Sequence, residues 1–194
     1  MCCRFAYYSR IIEDIESVAD WIEPGVKTFC AGDIHPSEPA VVIKADPEKQ
    51  QIRAGVMPWG FLSHDKKLLI NARAESVQEK KTFADSMAYR RCVIPAGHFY
   101  EWDRNKIRNT FFLPGYRTFY MAGLYNIFDQ TDRFTVLTTG ANESMSPVHD
   151  RMPLIIPKER IRAWILEYAS AQEILEEIPP AFLREAEYEQ LSLF

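Results

Sequence analysis

The residues best placed to do chemistry in this 194-residue chain are polar side chains set inside apolar stretches. Asn71 and Arg73 sit in LLINARAES, Glu101 in HFYEWD, and His149, Asp150 and Arg151 in SPVHDRMPLII. A carboxylate flanked by Phe99, Tyr100 and Trp102 is expected to be partly desolvated, which suits it to general acid–base work. The competing reading makes Glu101 an outward residue of a half-exposed strand. For His149, Asp150 and Arg151 the competing reading is a hydrogen-bonded loop ahead of a core strand.

Cys2 offers a different chemistry. Removal of Met1 would leave an α-amine, of reference pKa ~7.7–8.0, beside a thiol of ~8.5; both are appreciably reactive near neutrality, unlike a lysine at ~10.4. A 1,2-aminothiol condenses with an aldehyde to an imine, and sulfur then closes a thiazolidine ring. Only a cysteine at the first position can do this, although its position alone does not separate it from a cysteine that merely follows Met1. The chain has no phosphate-binding glycine loop, dinucleotide fingerprint, Cys-x-x-Cys pair or G-x-S-x-G elbow, so no cofactor is expected. A metal set of Cys2, Cys3, Cys30 and His35 matches no usual zinc spacing, and no metal is expected.

These residues need elements to position them. Arg10–Ile22 carries apolar residues at helical spacing behind Ser9 as a plausible cap, and helices are also expected over Val77–Tyr89, Pro157–Tyr168 and Ser170–Ile178. Short apolar runs bounded by turn residues predict strands at Ala40–Lys44, Ile52–Met57, Leu68–Ala72, Cys92–Pro95, Phe99–Trp102, Thr110–Leu113, Phe119–Tyr125, Phe134–Thr139 and Leu154–Ile156. Strands outnumber helices without regular alternation. The expected fold is therefore α+β: one domain over residues 1–194, with a mainly antiparallel, barrel-like sheet core flanked by helices.

Composition bounds the partners. With 47% hydrophobic and 26% charged residues a disordered chain is excluded, and no run approaches the ~20 apolar residues of a membrane span. Two adjacent and two distant cysteines do not form a secreted disulfide framework, so reduced thiols and a cytoplasmic location are expected. The formal charge is −4, from 23 bases and 27 acids. Seven of those acids and only Arg184 among the bases follow residue 162, which leaves 22 bases and 20 acids, a local +2, in residues 1–162. On this reading the acidity lies away from the candidate residues, and a polyanionic partner stays open.

Taken together, MCCRF, INARAES, RRCVIPAGHFYEW, LTTGAN and VHDRMP occur in the order and approximate spacing of the SOS response-associated peptidase (SRAP) family, which the chain resembles over essentially its full length. The resemblance implies a single-domain α+β fold and a protein that senses abasic sites in single-stranded DNA and binds them covalently. It places the nucleophile on Cys2, exposed by self-processing peptidase activity that removes Met1, and the other active-site residues on Asn71, Glu101 and His149. Arg4, Arg73 and Arg151 lie within two residues of these positions and are expected to bind phosphates flanking the lesion, with Trp102 stacking on a base. Trp59 in MPWGF is a weaker stacking candidate. A monomer is expected, nucleoid-associated when bound to DNA, with replication or repair proteins as further partners. Two departures stand out. The third position, usually glycine in the family, is Cys3, and residues 30–36 replace the Asn-x-Ala-Pro loop of many members. A noncovalent single-stranded DNA or protein-binding module with a compromised terminus is the alternative, and a peptidase acting on other substrates is a third reading.

Overall fold

The computed structural model describes residues 3–29, 32–46, 48 and 50–187. Its strands in chain order are β1 (Phe5–Ala6), β2 (Trp21–Ile22), β3 (Asp33–Ile34), β4 (Pro39–Asp46), β5 (Gln51–Pro58), β6 (Phe61–Leu62), β7 (Leu68–Leu69) and β8 (Asn71–Arg73). There follow β9 (Arg91–Ala96), β10 (His98–Trp102), β11 (Arg108–Phe112), β12 (Phe119–Phe128), β13 (Thr131–Gly140), β14 (Arg151–Pro153), β15 (Ile155–Ile156) and β16 (Leu183–Ala186). Among the described residues four α-helices accompany them: α1 (Ile11–Glu16), α2 (Lys81–Tyr89), α3 (Ile161–Leu166) and α4 (Tyr168–Ile174).

The fold is the expected α+β, with mostly antiparallel pairing, but the expected barrel-like closure is absent among the described residues. A five-stranded sheet runs β16-β11-β10-β1-β3, and a nine-stranded sheet runs β14-β13-β12-β9-β4-β5-β2 with β15 on β12 and β8 on β13. Each keeps open edges, and β6 and β7 pair separately. Aromatic rings join the two larger sheets. Phe5 of the smaller sheet meets Trp59 at 5.3 Å, and Phe99 stacks on Phe111 at 5.1 Å and meets Phe119 of the larger sheet at 6.1 Å. All five are essentially buried, and each such side chain contributes roughly 1.5–3 kcal/mol of hydrophobic stabilisation.

Several elements differ from the sequence expectation. The first helix stops at Glu16, because Trp21–Ile22 is captured as an edge strand in parallel register with Arg53–Ala54 of β5. Its N-cap is Arg10, with no side-chain capping bond, and not Ser9. The second helix starts at Lys81 after a 3-10 turn at Ala74–Ser76, and the third is preceded by one at Lys158–Arg160. Leu68–Ala72 divides at Ile70: β7 pairs with β6, and β8 pairs with β13. Trp59 is wholly buried and donates its indole N–H to the Ile70 carbonyl at 2.9 Å, so it is a core residue and not a stacking platform.

Candidate functional site

The N-terminal strand is aimed at Glu101 by its register. β1 lies between β10 and β3, with Phe5 opposite Phe99 and Ala6 opposite His98. The Tyr100 N–H donates to the Arg4 carbonyl at 3.0 Å and the Gly97 N–H to the Ala6 carbonyl at 2.8 Å. Continued toward the N-terminus, this register sets Cys3 opposite Glu101. Strand alternation puts Glu101 on the inward face with Phe99, and its partner on β11 is Asn109. Glu101 is 4% exposed and Asn109 2%, so Glu101 is not the outward residue of a half-exposed strand. Burial, then the negative charge of Glu101, pushes the Cys3 thiol above its ordinary value. Cys3 is thus a neutral thiol near pH 7 and a poor competitor as nucleophile. Cys2 and Cys30 lie outside the described residues.

His149 belongs to a second group built around Thr138. The Arg151 backbone N–H donates to His149 Nδ1 at 2.9 Å. An Asp150 carboxylate oxygen lies equally close to the same nitrogen, but the amide can only donate. In the neutral ring Nδ1 is therefore the acceptor and Nε2 carries the proton. Arg151 itself forks onto Glu75, at 2.6 and 2.9 Å, and reaches the Thr138 carbonyl at 2.5 Å. That bond from Arg151 holds the Glu75 carboxyl below its usual range. On the other flank of Thr138, β8 runs parallel with Arg73 in register, two residues beyond the half-buried Asn71. A cavity of about 610 Å³ joins this group to β10, lined by Trp102, Asp103, Arg104, Ser146, Val148 and His149 among others.

The candidate residues therefore fall into two connected sets. Glu101 and Cys3 meet through β1 and β10; Asn71, Arg73, His149 and Arg151 are linked through β8, β13 and β14; Trp102 and His149 share the cavity. The four expected DNA contacts are not equivalent. Arg4 is ion-paired with Asp33 and Arg151 with Glu75, whereas Arg73 and Trp102 are exposed. Arg104, also exposed and on the cavity wall, was missed, although its place two residues after Trp102 could have flagged it.

The outward face of β10 carries a network that the sequence reading also missed. Tyr100 Oη donates to Asp33 at 3.0 Å, and since it has one proton it must accept from His98 Nε2 at 2.8 Å. The Arg4 guanidinium stands 4.9 Å and that of Arg108 5.2 Å from the Tyr100 ring centre. Burial, only partly offset by Asp33, lowers the pKa of His98. For Asp33 burial is outweighed by the bonds from Arg4 and Tyr100, and the net shift is downward. The period-2 spacing of His98 and Tyr100 on either side of Phe99 was the available clue.

The model of the SOS response associated peptidase (SRAP) family matches residues 1–192. The chain belongs to that family. It is 33% identical over 181 residues to the abasic site processing protein YoqW of Bacillus subtilis, covering 85% of this chain and 80% of that one. It is 25% identical over 194 residues to the abasic site processing protein YedK of Escherichia coli, covering 91% and 84%. Solved structures share the SRAP-like fold: a Bordetella bronchiseptica protein superposes with a TM-score of 0.79 at 20% identity, covering 97% of this chain and all of that one. A Bacteroides thetaiotaomicron protein also gives 0.79 at 19% identity, covering 95% and 91%.

Proposed function

We propose that this SRAP protein captures abasic sites in single-stranded DNA as a covalent thiazolidine on Cys2, after its own peptidase activity has removed Met1. The observation that carries the reading is the β1–β10 register, which sets Cys3, the sequence neighbour of Cys2, opposite the buried Glu101. The names of the relatives support the substrate. In the reaction the Cys2 amine adds to the open-chain aldehyde of the abasic sugar, water leaves to give the imine, and the thiol adds to the imine carbon. The thiol proton ends on the ring nitrogen, so aldehyde and aminothiol yield thiazolidine and one water.

Each residue has a part. Glu101 transfers protons during addition and water loss, and the same carboxylate serves Met1 removal and reversal of the link. His149, with its proton on Nε2, donates to the sugar ring oxygen as the ring opens. Asn71 orients the amine or the sugar oxygen through its amide. Trp102 stacks beside the lesion. Phosphate binding falls chiefly to Arg73 and Arg104, because Arg4 and Arg151 already face carboxylates. The protein works as a cytoplasmic monomer.

The test is to incubate the purified protein with an abasic single-stranded oligonucleotide and resolve the products on a denaturing gel and by intact mass. The expected species is the chain without Met1 plus the oligonucleotide less one water, absent for Cys2→Ala. A retained Met1, or an equal band from Cys2→Ala, refutes the mechanism. Salt-sensitive binding with no shifted band identifies a noncovalent DNA-binding module instead.

A further inference from the structure

Asp33 joins two strands that do not touch. β1 separates β3 from β10, yet Tyr100 on β10 reaches over it to Asp33 on β3, and Arg4, just ahead of β1, pairs with the same carboxylate. In the cross-strand row Asp33, Ala6 and His98 stand side by side. The methyl of Ala6 leaves room above it for the Tyr100 hydroxyl, which sits 2.8 Å from His98 and 3.0 Å from Asp33. The result is a continuous set of donors and acceptors, from His98 Nε2–H to the Tyr100 hydroxyl, on to the Asp33 carboxylate and back to Arg4.

We infer that Asp33, Tyr100, His98 and Arg4 form a clasp over β1 that fixes its register and so holds Cys3, the neighbour of the reactive terminus in sequence, opposite Glu101. β1 is two residues long, too short for its own ladder to hold a register against slippage. A slip of one residue would turn Phe5 out of the core and move Cys3 away from Glu101. The clasp acts from the face opposite Glu101, so its members are positioning residues. It also explains why Arg4 is paired internally: its charge serves the strand.

This inference rests on the proposed crosslinking reaction only for its functional consequence, and the experiment separates the two. Tyr100→Phe keeps the ring under both guanidinium groups and deletes only the hydroxyl at the centre of the clasp, and Asp33→Asn removes the common acceptor. Backbone hydrogen exchange over residues 3–7 is expected to quicken about tenfold in both variants, the factor that loss of one such bond permits. The crosslinking rate at saturating abasic oligonucleotide should fall about tenfold, while the Kd for undamaged single-stranded DNA changes less than about twofold. Unchanged exchange in both variants overturns the clasp. A rate equal to that of the wild type, or a rate and a Kd that worsen in proportion, overturns its positioning role. If the wild-type protein forms no crosslink, the proposed reaction is wrong, and the clasp stands or falls on the exchange measurement alone.

Discussion

Arg73 and Arg151 occupy similar places in the sequence pattern, but their surroundings predict opposite consequences of replacement by alanine. Arg151→Ala removes a two-pronged bond to Glu75 and the donor to the Thr138 carbonyl, from a side chain only 13% exposed. Hydrogen bonds to charged groups contribute about 1.5–3 kcal/mol, and the half-exposed Glu75, screened by solvent, places the net loss near about 2 kcal/mol. For a chain of this size that lowers Tm by about 4–8 °C. Because the guanidinium already faces a carboxylate, the salt dependence of DNA binding should hardly change. Arg73→Ala should do the reverse: Tm holds, and the slope of log K against log salt for single-stranded DNA flattens by about 0.7, one phosphate's worth of released counterion. Binding titrations at four or five salt concentrations, alongside thermal melts, measure both quantities. If Arg151→Ala flattens the slope as Arg73→Ala does and leaves Tm alone, the Glu75 pairing does not occupy Arg151 and the argument is wrong.

Three further outcomes follow from the same structure. Glu101→Gln preserves side-chain size but cannot transfer a proton, so crosslinking should slow about 10²-fold in a folded protein, and an undiminished rate would remove Glu101 from the reaction. Stability should fall on acidification in two stages. His98 titrates below its ordinary value in the folded chain, so the unfolded state takes up the proton first and stability drops as pH falls below about 6.5; Asp33 and Glu75, also lowered, add a second loss below about 4.5. Melts from pH 8 to 3 would show this, and His98→Gln should erase the first stage while leaving the second. Gly123→Ala would place a methyl 2.4 Å from Ile94 Cδ1 and 3.0 Å from the Thr135 carbonyl, and overpacking of that kind costs about 1–3 kcal/mol, readable as a lower denaturation midpoint.

What the sequence made legible, and what it concealed, divides on physical grounds. Strands such as β4, β9, β12 and β13 were readable because each buries a long apolar run that its own residues spell out. β1 and β3 were not, since two residues carry no periodicity and become strand only because β10 supplies a partner. The first helix was drawn too long for a related reason: Val18, Ala19 and Ile22 satisfy a helical period, but the open edge of β5 offers Trp21–Ile22 backbone partners that a further helical turn cannot match. Among the candidate residues, the burial of Glu101 was legible because it stands in an aromatic strand. The pairings that decide what the arginines can do were invisible, because Arg4 and Asp33 are 29 residues apart and Glu75 and Arg151 are 76 apart, and charge spacing along a chain says nothing about such contacts.

The same blindness applies to charge. The sequence put seven acids after residue 162 and suggested that they lie clear of the site, yet the fold returns several of them to the body. Glu187 pairs with Arg108 at 3.0 Å, and that guanidinium stands over the Tyr100 ring beside Arg4; Glu173 and Glu177 both engage Arg160. Arg108 and Arg160 are thus matched by C-terminal acids, which offsets part of the slight positive excess of residues 1–162 within the fold. In the proposed reading, affinity for undamaged strands rests on a few exposed cations, with Arg73 and, on the cavity wall, Arg104 foremost among those identified. A protein built this way would bind intact DNA weakly and owe its retention on damaged DNA to bond formation, so its off-rate should separate abasic from intact strands far more than its on-rate does. Stopped-flow association and competitor-chase dissociation on the two strands give both rates. A discrimination residing mainly in association would show that long-range electrostatics, and not the covalent step, selects the lesion.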